Sequence, residues 1–140
     1  MKLIIINGPN LNLLGKREPG IYGNIGFEDF FQTLHQKYTS VVLESFQSNH
    51  EGALIDKIQE VGYSYDGIII NAAGFTHSSV AIRDALAAVE TPAIEVHISN
   101  IKAREPFRAH SYLTPVCIGM ITGLGLKGYE LAIQYFIDQE

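Results

Sequence analysis

Glu95 and His97 stand two apart in the run AIEVHI, and in an extended strand that spacing puts both side chains on one face, carboxylate beside imidazole. A carboxylate so placed orients the ring and favours its charged form, which prepares a general acid near neutral pH. A second chemical pair lies in GKREPGIYG at 15–23, where Arg17 precedes Tyr22 within a glycine-framed loop. A phenol with an ordinary pKa of about 10 is ionised to roughly one part in a thousand at pH 7. A guanidinium about 4 Å away would favour the phenolate by up to about 4 kcal/mol at an effective dielectric near 20, less what desolvation takes back. That turns a poor base into a usable one. The glycines would let the loop move as a lid at little backbone cost. On its own, the loop also reads as a solvated turn with Tyr22 packed on its rim.

Other groups gather near these in kind. His77, in GFTHSS, is expected to open a helix six residues after Asn71 ends a strand, which suits a shared ligand-binding role as well as simple capping. Asp84 lies about one and a half turns into that helix, where it could serve a site or merely pair with Arg83. His50, Glu51, His77 and His97 could ligate a metal, but no pair has the i, i+4 helical spacing or the clustered Cys/His spacing that makes a metal reading specific. His35 falls in a polar helical stretch and is expected at the surface. Gly123, Gly125 and Gly128 match G-x-G-x-x-G, yet only 12 residues follow, leaving neither a second strand nor an acidic residue to hold a ribose. Close packing of a strand against a helix explains the glycines better.

The elements that must position these groups show as alternating patterns. Short β-branched runs at 2–8, 41–46, 67–72, 93–98 and 116–121 are separated by stretches of helical spacing at 27–38, 51–63 and 78–89, and a last one follows at 128–139. Several runs are apolar on both faces, as strands covered by helices on each side require. One helical crossover between successive strands makes them parallel, so the expected fold is an α/β three-layer sandwich on a five-stranded sheet. In such sheets ligands bind beyond the carboxyl ends of the strands. Asn7 to Asn10, Ser48 to Glu51, Asn71 to Ser78, and Glu95 to Asn100 with Arg104 and Arg108 all fall there. The fifth strand is followed by ITGLGLKG, nearly empty of functional groups.

The chain of 140 residues, 46% apolar and without repeats or linkers, suits one domain spanning 1–140 with an ordinary core. A formal charge of −5 gives no basic field for nucleic acid. The single cysteine, Cys117, sits in VCIGMI and reads as packing, which fits a reducing compartment. Four apolar residues after Lys2 are too few for a signal h-region, and no run approaches 18, so a soluble cytoplasmic protein is expected, with no membrane partner.

Four long segments in order, NGPNLNLLGKREPGIYG at 7–23, QSNHEGALIDKI at 47–58, IIINAAGFTHSSVAIRDAL at 68–86 and EVHISNIKAREPFR at 95–108, resemble the type II 3-dehydroquinate dehydratases, and the likeness runs from residue 3 through GYELA at 128–132. The resemblance implies a flavodoxin-like fold and cofactor-free, metal-free trans-dehydration of 3-dehydroquinate to 3-dehydroshikimate through an enolate, in the shikimate pathway. It gives Tyr22 the part of base, Arg17 that of the cation keeping it phenolate, and Asn10 that of enolate support. His97, oriented by Glu95, would protonate the departing hydroxyl. Asn71 with the backbone N–H groups of Ile98 and Ser99 would hold the substrate carboxylate, while His77 and Arg108 would hold ring hydroxyls. Asp84 would reach the site of a neighbouring subunit in a homododecamer built as a tetramer of trimers. The chain departs from the family in Phe75, where many relatives have tyrosine, and in Ala72-Ala73, where they have Pro-Gly. Without a hydroxyl, Phe75 is expected to alter affinity or subunit contact, not to abolish activity. The rival of another class, a non-catalytic flavodoxin-like binding module, calls for a phosphate-cradling loop or an acidic cluster at strand ends, and the sequence has neither.

Overall fold

The computed structural model describes residues 1–16 and 25–140. Five strands, β1 (Lys2–Asn7), β2 (Val42–Gln47), β3 (Gly67–Asn71), β4 (Ala93–His97) and β5 (Gly119–Thr122), form one parallel sheet in the order β2-β1-β3-β4-β5. That is the strand order of flavodoxin-like folds, with its switch point between β1 and β3. Among the described residues four α-helices cover it: α1 (Phe27–Lys37), α2 (Glu51–Val61), α3 (Val80–Ala88) and α4 (Lys127–Asp138).

The alternation along each strand divides the core in two. Leu3, Ile5, Ile69, Ile94 and Val96 face α1 and α4, where they meet Phe30, Phe31, Leu34, Tyr129, Ile133 and Phe136. Ile4, Ile6, Ile68 and Ile70 face α2 and α3, meeting Leu54, Ile58, Ile82 and Leu86. Each such side chain taken wholly from water contributes on the order of 1.5–3 kcal/mol, and this double burial is what the two-faced apolar runs encode. Glu95 and His97 share a parity with Ala93, on the α2/α3 side of β4.

Two local expectations change. The fifth strand begins at Gly119, not at 116, because Thr114–Val116 makes a 3-10 turn at Pro115, which has no N–H to give a ladder. His77 does not open α3: it ends a 3-10 turn, Ala73–His77, and the cap is Ser79, whose Oγ accepts from the Ile82 N–H at 2.9 Å. Among the described residues no helix is long and apolar enough to cross a membrane.

Candidate active site

At the carboxyl edge of the sheet a cavity of about 130 Å³ opens between the exits of β1, β3 and β4. The sequence candidates Asn10, Asn71, His77, His97, Ile98, Ser99 and Arg108 all line it, with Arg104 beside them. Each exit is fixed by a different device. After β1, Gly8 lies so close to β3 that an added Cβ would sit 2.4 Å from the Ala72 carbonyl oxygen, so only glycine lets the two exits touch. Asn10 holds a left-handed backbone, φ 71°, and its N–H donates to Asn49 Oδ1 at 3.0 Å. Gln47 Nε2 donates to that same oxygen and to the Gly8 carbonyl, each at 3.1 Å, joining the β1 and β2 exits.

After β3, the Asn71 side chain accepts from the Ala73 N–H through Oδ1 at 3.1 Å and donates through Nδ2 to the Tyr129 hydroxyl at 2.9 Å. Ala73 itself is left-handed, φ 52°, a conformation that suits glycine better than alanine. The Phe75 ring packs on the α2/α3 core and does not line the cavity, so the missing hydroxyl has no direct bearing on its walls.

After β4, His97 Nε2 lies 2.5 Å from Glu95 Oε2. A carboxylate can only accept, so Nε2 carries the proton toward it and Nδ1 is the ring nitrogen left to serve a ligand. Glu95 is wholly buried, and two hydroxyls complete its shell: Ser111 Oγ donates to Oε2 at 2.9 Å and Thr114 Oγ1 to Oε1 at 2.5 Å. Burial alone would push the carboxyl up; the hydrogen bonds from His97, Thr114 and Ser111 and the nearby imidazole outweigh it and hold it below the ordinary carboxylate range. The Gly123 N–H donates to the His97 carbonyl at 3.1 Å and the Gly125 N–H to the Ile98 carbonyl at 3.0 Å. The G-x-G-x-x-G loop thus braces the β4 exit, and Gly128, where a Cβ would lie 3.2 Å from Val96 Cγ1, brings α4 against β4. The sequence reading of those glycines as packing agrees with this.

His77 stacks near His97, ring centroids 6.3 Å apart, and its Nδ1 is 2.7 Å from the His110 carbonyl. A carbonyl only accepts, so Nδ1 bears the proton. Burial lowers the His77 pKa and, with the His97 and Arg108 charges, outweighs the raising effect of the His110 carbonyl and of Glu95; the neutral ring so favoured has Nε2 as an acceptor. Arg108 is aligned by Glu105, Nε to Oε1 at 3.2 Å.

The remaining candidates lie elsewhere. Arg17 and Tyr22 fall outside the described residues, although Leu14, three residues before Arg17, lines the cavity. Asp84 is largely exposed, sits 3.7 Å from Arg83, and does not line this chain's cavity. His50 and Glu51 are also absent from its walls, and among the described residues no three His, Cys, Asp or Glu groups could hold a metal ion. Cys117 packs on the α2/α3 core, its thiol pushed up to about 12 by burial, with Glu95 adding to the rise. Sequence reasoning missed Tyr129, Ser111 and Thr114. Tyr129 is one more apolar position in a helical pattern, and only the S-x-x-T-P spacing at 111–115 hinted at an ordered turn.

The family model for class II dehydroquinases matches residues 1–137. The chain belongs to that family. It is 54% identical over 96% of its length to the 3-dehydroquinate dehydratase of Acaryochloris marina, covering 92% of that protein. It is 53% identical over 95% of its length to the catabolic 3-dehydroquinase of Aspergillus clavatus, covering 90% of it. The crystal structure of the type II dehydroquinase from Butyrivibrio crossotus superposes with a TM-score of 0.94 at 52% identity, covering 98% of this chain and 97% of that one.

Proposed function

We propose that this class II dehydroquinase is a hydro-lyase that converts 3-dehydroquinate to 3-dehydroshikimate by trans-dehydration, in the shikimate pathway toward chorismate and the aromatic amino acids. The observation that carries the reading is the buried Glu95–His97 pair opening on a cavity whose other polar walls include Asn10, Asn71, His77, Ser99 and Arg108.

The proton alpha to a ketone is too weakly acidic for an ordinary side chain unless the enolate is stabilised as it forms, and hydroxide departs only if protonated. Tyr22, kept as phenolate by Arg17, takes the alpha proton, and the C–H electron pair moves into the enolate. Asn10 supplies the hydrogen bond or ordered water that supports the enolate oxygen. As the enolate collapses, the new C=C forms, the C–O bond at the carboxylate-bearing carbon breaks, and His97 Nδ1–H gives its proton so that water leaves. The imidazolium needed for that step is matched by the ionised Glu95 at Nε2. Asn71 and the N–H groups of Ile98 and Ser99 take the substrate carboxylate. The neutral His77 accepts from a ring hydroxyl through Nε2, and Arg108 binds another. No step calls on a metal or organic cofactor. The protein works in the cytoplasm as a homododecamer, a tetramer of trimers, in which an exposed Asp84 enters a neighbour's site.

The assay is purified protein with 3-dehydroquinate, followed by the absorbance of the conjugated enone. Tyr22→Phe abolishes turnover, and a normal rate in that variant removes the base. His97→Ala loses turnover but still exchanges the alpha proton with solvent; loss of both together contradicts separate base and acid.

A further inference from the structure

Tyr129, in the first turn of α4, is wholly buried, yet its hydroxyl lies at the end of the sheet between Asn7 and Asn71. Its ring is wedged against Phe27 and Phe30, centroids 5.4 and 6.0 Å away. The hydrogen bonds around it leave one consistent arrangement. A backbone N–H, that of Ala73, donates to one end of the Asn71 amide, so that end is the oxygen and the NH₂ end faces Tyr129. The phenol oxygen therefore accepts from Asn71, and its own proton goes to Asn7 Oδ1 at 2.8 Å. A rotation of the Asn71 amide by half a turn would set its NH₂ against the Ala73 N–H and break the relay to Asn7. One Nδ2 proton is thus committed to Tyr129, and the second remains for the cavity that Asn71 lines. Burial pushes the phenol's pKa up, so the hydroxyl stays a donor to Asn7 at any working pH.

We propose that Tyr129 is a positioning residue: it locks the Asn71 amide so that one N–H faces the carboxylate of a ligand in the cavity. This rests on the reading of Asn71 as a carboxylate contact. Tyr129→Phe keeps the ring and removes only the hydroxyl. Its KM for 3-dehydroquinate rises about five- to tenfold, in line with the loss of one net hydrogen bond, while kcat changes by less than about twofold. Asn71→Ala raises KM at least as much, and the double variant has the KM of Asn71→Ala alone, since both changes remove one contact. If Asn71→Ala leaves KM unchanged, the carboxylate reading fails and this inference with it. If Asn71→Ala raises KM while Tyr129→Phe does not, or if the two effects multiply, the inference alone is overturned. Should Tyr129→Phe not fold, the wild-type protein decides: a locked Asn71 side chain shows one amide proton slow and one fast in solvent exchange by NMR. Two protons exchanging at the same fast rate would mean a freely turning amide and would overturn the lock.

Discussion

In the proposed mechanism Glu95 supports the acid, His97, and its hydrogen bonds give it a pH dependence of its own. Its carboxyl is held below the ordinary value of 4.5 because three donors outweigh its burial. The sign of the linkage follows: between the two values the unfolded chain binds the extra proton, so Glu95 stabilises the fold fully above about pH 4.5 and ceases to as pH falls through its lower folded value. Glu95→Gln should flatten that part of the acid-unfolding profile and lower kcat about a hundredfold, because an amide presents no charge to the imidazolium. Equal steepness in wild type and variant below pH 4.5 would contradict this. The pair itself was legible from residues two apart in a strand. Ser111 and Thr114 were not, since their reach to Glu95 depends on how the stretch after β4 folds back over the sheet, and that path has no periodicity to read.

At the scale of elements, the exits of the strands carry the specificity of the fold. The trans peptide ties each carbonyl to the next N–H on its opposite side. The Gly123 and Gly125 bonds to the His97 and Ile98 carbonyls therefore turn the N–H groups of Ile98 and Ser99 away from the β5 side. Ala73 shows the cost of such an exit. A non-glycine residue at φ 52° loses about 1–2 kcal/mol relative to a right-handed conformation, while glycine there loses only its extra unfolded-state freedom. Ala73→Gly should accordingly raise stability by about 0.5–1 kcal/mol in denaturant unfolding, and a lower midpoint would argue against strain at this turn. Strand and helix types were readable because apolar period and length agree. The ends were less so: Pro115 moved the start of β5 by three residues, and a 3-10 turn took His77 off the helix.

For the whole molecule, the test of assembly is mass and sharing. Sedimentation should give a dodecamer of the 15.5 kDa chain. Mixing unfolded Asp84→Ala and His97→Ala chains and refolding them together should restore a fraction of activity that neither has alone, because some sites then draw both intact residues from different subunits. No recovery in mixed particles of the right size would place Asp84 outside the site. Within one subunit, the cavity joins Asn10, Asn71 and His97 from three strands, and its Asn71 wall is steadied by a helix that begins at Lys127. These positions are far apart along the chain and meet only through parallel pairings, which form late because distant segments must find each other first. The hollow that receives a ligand is therefore a product of the paired sheet and of no single segment: a stretch of the polypeptide holding one strand and its helix has nowhere for a ligand to sit.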